Sequence, residues 1–243
     1  VKAVCELMPY SGGLARNIEQ CLNDFDIPLK LSHTVVDIHG DKRLEGVTIA
    51  RVDENRRPIA ETREYIPCDT LLLSVGLIPE NELSLQAGIR MDAVTGGALV
   101  DQDRQTSVPG IFACGNVLHV HDLVDFVSEE AAIAGESAAE FIRFIREETG
   151  EGGGAPGETD IPAQTDISIT TDGKIRYTVP QMITRRKDTT LFFRVADRYR
   201  NVRIDIVSDG KTIHSVRKPK AAPGEMESIS LKAALLEGVT DLR

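Results

Sequence analysis

The feature that most constrains how this chain can fold is a break in composition between Glu148 and Gln164, where ETGEGGGAPGETDIPAQ is rich in Gly, Pro and Glu and poor in large apolar residues. Such a stretch offers little to a packed core and reads as a flexible surface linker. It divides the 243 residues into a first domain at 1–148, a linker at 149–165 and a second domain at 166–243, and the two domains have different rhythms. Within the linker, Gly152, Gly154 and Gly157 satisfy the expression GxGxxG. A dinucleotide fingerprint needs a strand before those glycines and a helix after them. Here a helical pattern precedes them, and Pro156 and acidic residues follow, so the linker reading stands.

With 41% hydrophobic residues the chain is long enough for one large or two ordinary domains, each with its own core. The formal net charge of -10 argues against a nucleic-acid partner, which clustered Lys and Arg would serve. No apolar run approaches the roughly 20 residues that span a bilayer, and VKAVCELM lacks the basic-then-apolar plan of a signal peptide. The expectation is a cytoplasmic protein without a membrane span. Cys5, Cys21, Cys68 and Cys114 show no CxxC or metal-ligand spacing and read as small buried hydrophobes in a reducing compartment. No dithiol relay is supported by these cysteines. His119 and His121 stand at i, i+2 in an expected loop without carboxylate or thiolate company at familiar spacing. They read as loop polarity or a ligand contact, and no metal site is expected.

In the first domain VKAVCEL predicts a short strand, Pro9, Gly12 and Gly13 a turn, and Leu14 to Phe25 a helix. Val35, Val36 and Ile38, then Val47, Ile49 and Val52, then Tyr65 and Ile66 are apolar runs separated by GDKRLEG and DENRRP, which predicts an antiparallel meander. Leu71 to Val75 is a continuous apolar run bounded by Asp69 and Gly76, as suits a strand buried on both faces. Further on, Thr106, Pro109 and Gly110 predict a turn, Ile111 to Cys114 a short buried strand, and Gly115 to Val117 its end. Val127, Ala131, Ala134, Ala138, Phe141 and Ile145 recur on one helical face, with Glu129, Glu130, Glu136 and Glu140 away from it and Asp125 as the expected N-cap.

The order of strand with terminal acid, helix, meander and buried strand ending in SVGLIPENEL, followed by QTSVPGIFACGNV at Gln105 to Val117, resembles the pyridine-nucleotide-dependent flavoprotein oxidoreductases with two dinucleotide-binding domains. The resemblance implies an incomplete Rossmann-like α/β FAD/NAD(P)-binding domain, since the GxGxxG fingerprints of such proteins precede the matching part. It implies that Glu6 holds the adenosine ribose of the nicotinamide cofactor, favouring NAD over NADP. Gly76 then lets the backbone approach the nucleotide or the domain junction. Gly115, Asn116 and Val117 match the strand end that returns to the flavin, where the family usually has Asp and this chain has Asn116. An amide keeps a weaker, uncharged hydrogen bond to the ribityl chain of FAD. The amides of Phe126, Val127 and Ser128 fall where the family aims a helix N-terminus at the flavin pyrimidine edge, and the positive dipole there stabilises negative charge on the reduced ring.

The second domain alternates differently. Ile167, Ile169 and Thr171 lead through Asp172-Gly173 to Ile175, Tyr177 and Val179, and Val202, Ile204 and Ile206 lead through Asp209-Gly210 to Ile213 and Val216, two hairpin signals. With LFFRV at Leu191 to Val195 and a strand from Met226 to Leu231, these predict a small antiparallel β-sandwich. RRK at Arg185 to Lys187 and the run around Arg198, Arg200 and Arg203 read as a solvated sheet face or a dock for an acidic partner. Nothing in this domain resembles a catalytic site.

The functional expectation is part of a flavin-dependent oxidoreductase that moves reducing equivalents between NAD(P)H and a substrate or acceptor through FAD. The chain alone is expected to be an inactive C-terminal portion of a longer flavoprotein, with catalytic residues unassigned. The alternative is a non-catalytic assembly or regulatory module built on a dinucleotide-binding remnant. An unpaired strand flank predicts a homo-oligomer or a partner subunit that covers it.

Overall fold

The computed structural model of the chain describes residues 1–13, 15–149, 167–184 and 187–243. The linker expected at 149–165, apart from the helical backbone of Thr149, lies outside the described residues, as do Leu14, Arg185 and Arg186. The chain is mixed α/β and divides into two compact units, Val1–Gly76 and Leu77–Arg243. The division falls between Gly76 and Leu77, so residues 77–149 group with the C-terminal strands.

In the first unit, β1 (Val4–Glu6) pairs in parallel with β2 (Leu29–Leu31), Val4 opposite Leu29 and Glu6 opposite Leu31. The segment between them is helical but irregular: α1 (Ala15–Asn17) passes into a π-helical turn at Ile18–Leu22 and a 3₁₀ turn at Asn23–Phe25. Asp26, with φ of 50°, then takes the left-handed conformation that stops the helix before Pro28. β3 (His33–His39), β4 (Gly46–Arg51) and β5 (Glu64–Pro67) form an antiparallel sheet with β4 in the middle. β4 is the buried strand, from Gly46 to Ala50. A side chain at Gly46 would meet the ring of Tyr65, which lies over this glycine.

The run expected as a buried strand at Leu71 to Val75 is not one. No strand among the described residues pairs with it, and Leu72, Leu73 and Val75 are 85%, 72% and 89% exposed. A strand exists through its ladder partners, and an apolar run without them stays extended and open to solvent.

In the second unit, α2 (Glu82–Gln86) is a short helix, and the chain from Met91 to Phe112 folds back on itself through single bridges, Met91 with Ala98, Val100 with Thr106 and Gln105 with Phe112. The expected strand at Ile111 to Cys114 is therefore reduced to one bridge at Phe112, and Gly115 to Val117 forms a 3₁₀ turn rather than a strand end. The long helix α3 (Val124–Thr149) follows. It begins before Asp125, so that residue lies in the first turn and is not the N-cap. Its buried side chains are Glu130, Ala134 and Ser137, while Ala131 is exposed, so the inward face is turned by one position from the expected stripe and takes in an acid.

The C-terminal strands are β6 (Ile167–Ile169), β7 (Ile175–Val179), β8 (Met182–Ile183), β9 (Thr189–Val195), β10 (Tyr199–Ser208), β11 (Lys211–Ala221), β12 (Glu227–Leu231) and β13 (Asp241–Leu242). They form the sheets β12-β9-β7 and β13-β6-β8 and the hairpin β10-β11. Asp209 and Gly210, both with positive φ, close that hairpin between Ser208 and Lys211, as a two-residue turn of the primed type requires. The other hairpin signal is overturned: the chain turns at Gly173, but β6 joins β8 and β13 while β7 joins β9. Ile167, Ile183, Leu191, Phe193, Leu231, Leu236 and Leu242 fill the space between these strands. A second apolar cluster joins Ile89, Ala98, Val100 and Leu118 to Val179 of β7.

Phe193 is 2% exposed at the centre of the larger cluster. Phe193→Ala is expected to lower the unfolding free energy of this unit by about 3–5 kcal/mol, read from urea midpoints, because the ring leaves a cavity as well as its transfer energy. A shift below about 1 kcal/mol would show that these strands do not share one core.

Candidate functional site

Leu118 and His119 both donate their amides to the Gly115 carbonyl, at 2.9 and 3.2 Å, so the chain coils tightly after the motif glycine. Gly115 has φ of 73°, and a Cβ there would come within 3.3 Å of Val127 Cγ1. Both facts require glycine. Asn116 is exposed, and its Oδ1 accepts the His121 amide at 3.1 Å, leaving the Nδ2 group as the outward-facing donor. Val117 is 38% exposed, and its carbonyl accepts a bond from Asn81 Nδ2 at 2.7 Å.

Asn81 was not singled out by residue type, although it lies in the IPEN string. It is buried, donates also to the Gly96 carbonyl at 2.9 Å and accepts from Ser84 Oγ at 2.8 Å, so it ties the start of α2 to the motif turn. In a helix that begins at Val124 the unpaired amides belong to the first turn. Of the three residues expected there, Phe126 sits within that turn, and Val127 and Ser128 come just after it. Ser128 is exposed and bonds its hydroxyl back to the Val124 carbonyl at 3.1 Å.

Behind the turn lies a polar cluster that no spacing in the chain announces. Glu130, on α3, has a fully buried side chain. Its Oε1 accepts from Arg104 Nε at 2.9 Å and faces His119 Nε2 at 3.4 Å, and its Oε2 accepts from the Gly115 amide at 2.7 Å and faces His121 Nε2 at 2.9 Å. The carboxylate that His119 and His121 lacked at familiar spacing is therefore supplied by the helix. The two imidazoles stand edge to face with centroids 4.3 Å apart, and both pack against Phe192. Neither Nδ1 has a hydrogen-bond partner among the described residues. His119, His121 and Glu130 present ligand atoms within 4.8 Å of one another, the arrangement in this unit that can hold a metal ion.

The electrostatics follow from this packing. Burial opposes charge on Glu130, but the bonds from His119 and His121 and the positive charge of Arg104 outweigh it and hold the carboxyl far below its ordinary range. Burial pushes the His119 imidazole down, against the pull of Glu130, so the ring is neutral near pH 7. Of the four cysteines expected to be buried, Cys21 is exposed and Cys5, Cys68 and Cys114 are half-buried; burial, with Glu130 adding to it, pushes the Cys114 thiol up, which keeps it protonated and unreactive.

The C-terminal strands reach this loop directly. Arg194 of β9 donates to the Val120 carbonyl at 3.0 Å and to Asp122 Oδ1, and Asp122 Oδ2 accepts the Met226 amide at 2.6 Å. Glu6 and Gly76 belong to the first unit. Glu6 ends β1, and its carboxylate accepts the Met8 amide at 2.8 Å. Gly76 has φ of 105° and nothing within 4 Å of where a Cβ would stand, so its backbone lies open to a neighbour.

A family profile described as pyridine nucleotide-disulphide oxidoreductase matches residues 1–138. Hydrogen cyanide synthase subunit HcnB of Pseudomonas aeruginosa is 33% identical over 124 residues, 50% of this chain and 26% of that protein. Thioredoxin reductase of Listeria monocytogenes is 26% identical over 132 residues, 53% of this chain and 39% of that protein. The crystal structure of T. acidophilum thioredoxin reductase has a TM-score of 0.51 and 25% identity, covering 58% of this chain and 44% of that one. The chain thus spans between about a quarter and somewhat under half the length of these relatives. No described helix is long and apolar enough to cross a membrane.

Two outcomes test the electrostatics. Removing the charge by Glu130→Gln is expected to cost about 3–5 kcal/mol in urea unfolding, because Arg104 is left buried and unpaired. The depressed His119 contributes stability that is present above the unfolded imidazole pKa of about 6.5 and is lost as pH falls below it, since the unfolded chain takes up the proton first. The depressed Glu130 keeps its contribution until the far acid side. With a chelator present, the urea midpoint should therefore fall from about pH 7.5 to about pH 5.5, and His119→Gln should flatten that slope. Equal slopes in the two proteins would contradict the assignment.

Proposed function

Because this chain belongs to the pyridine nucleotide-disulphide oxidoreductase family, we propose that it is part of a flavin-dependent oxidoreductase that moves reducing equivalents between NAD(P)H and a substrate or acceptor through FAD. FAD and NAD(P) are the cofactors of this family. The observation that carries the reading is the Gly115–Asn116–Val117 turn, set close against Val127 of α3 with a glycine at φ of 73°. The chemistry supplied by bound FAD is two-electron exchange with a nicotinamide. Asn116 Nδ2 would donate to a ribityl hydroxyl, while its Oδ1 stays engaged with the His121 amide. The first-turn amides of α3, with Phe126 among them and Val127 and Ser128 beside them, would face the flavin pyrimidine edge with their positive dipole. Glu6 would orient the adenosine ribose of NAD, and the open backbone at Gly76 would let the nucleotide or the domain junction approach.

The C-terminal strands, read as a β-sandwich, add no catalytic group in this proposal and brace the loop after the motif through Arg194. The exposed Leu72, Leu73 and Val75 support a further strand or a subunit laid against that run in the assembled protein.

NADH added to the full-length protein is expected to bleach a bound flavin, and Asn116→Ala is expected to weaken FAD retention about tenfold, the worth of one hydrogen bond. A full-length protein without flavin, or one whose flavin ignores NADH, would count for the non-catalytic assembly module. For the 243-residue chain itself, sedimentation is expected to show a dimer or larger species, reduced to monomer by Leu73→Lys; a monodisperse monomer would speak against the covered apolar run.

A further inference from the structure

We propose that His119, His121 and Glu130 form a binding site for a divalent transition-metal ion of the zinc type. The site needs no flavin, so it stands or falls apart from the reading above.

Three observations carry it. The first is spacing: Nε2 of His121 lies 2.9 Å and Nε2 of His119 3.4 Å from the two Glu130 oxygens. Ligand atoms on a tetrahedral ion with bonds of about 2.0–2.1 Å stand about 3.3 Å apart, close to these two separations, and all the ligand atoms of the three residues lie within 4.8 Å of one another, so small side-chain shifts bring them onto one ion. The second is enclosure, with the three side chains 1%, 1% and 0% exposed and the rings held by each other and by Phe192. The third is the bonding of the rings. Each imidazole makes its polar contact through Nε2, aimed at the same carboxylate, and each Nδ1 is buried without a partner. A dication between these atoms takes the Nε2 lone pairs, the ring proton shifting to Nδ1, and replaces the hydrogen bonds at 2.9 and 3.4 Å with coordinate bonds.

The donor set also selects the ion. Two imidazoles and one carboxylate suit Zn²⁺, Co²⁺ or Ni²⁺ and disfavour Mg²⁺ and Ca²⁺, which take oxygen ligands. Arg104 shares the Glu130 carboxylate. It keeps that group ionised in the absence of metal, and its own positive charge weakens the attraction for a dication. Coordination would staple the loop after the motif turn to α3, with water completing the shell as the open position of a three-ligand site.

The test is titration of the metal-stripped full chain with Zn²⁺ by calorimetry and with Co²⁺ by visible absorption. One equivalent is expected to bind with a micromolar Kd and to raise the thermal midpoint, and Co²⁺ is expected to show the intense d–d bands of a four-coordinate nitrogen and oxygen set. His119→Ala and His121→Ala should each weaken binding about a hundredfold, whereas His39→Ala, a histidine of β3, should leave it unchanged. Circular dichroism establishes that the variants are folded; if they are not, the Co²⁺ spectrum of the unaltered chain decides. Weak six-coordinate Co²⁺ bands, binding that survives both histidine variants, or equal binding of Mg²⁺ would each overturn the proposal.

Discussion

The structure around the motif turn depends on one carboxylate. Glu130 presents two oxygens, and each meets two nitrogen donors: Arg104 and His119 on one, the Gly115 amide and His121 on the other. A carboxylate has about four acceptor sites, so the group is saturated, and that is the condition under which a buried charge is tolerable. Its donors come from the bridged loop before the motif, the motif glycine itself and the loop after it, and α3 supplies the carboxylate. Four successive stretches between Arg104 and Glu130 are thereby held to one point. The rings of Phe192 and Tyr177 packed against the imidazoles supply a low-dielectric wall that strengthens those bonds.

Much of the fold was legible wherever a local rule sufficed. The apolar alternation of Val47 and Ile49, the Asp209-Gly210 turn and the heptad-like spacing of α3 each report a structure set by the residues in view. Legibility failed where a residue's state depends on a distant partner. Leu71 to Val75 has the composition of a central strand, but composition does not provide a neighbour to pair with. Asp172-Gly173 turns the chain as it should, yet which sheet receives each arm is decided by β9 and β13. Glu130 lies off the apolar stripe of α3, and only the positions of Arg104, His119 and His121 make its burial sensible.

The same distinction runs through the site. Gly115, Asn116 and Val117 could be named from their string, because the backbone demand at the glycine is local and φ of 73° expresses it. Asn81 and the histidine pair could not, since their roles consist of bonds to residues 36 and 9–11 positions away. A clue was available in retrospect: Asn in a turn before a short helix often serves a carbonyl across the turn as well as its own helix.

Asp122 shows what the contact between the C-terminal strands and the motif loop means for the chain as a whole. One of its oxygens is held by Arg194 and the other by the amide of Met226, while Arg194 also holds the Val120 carbonyl. A polypeptide ending at α3 would leave that carboxylate and that carbonyl without these donors beside the histidine pair. The strands beyond the Gly- and Pro-rich break thus complete the solvation shell of the loop before it, and the break marks a change of composition within a single chemical unit.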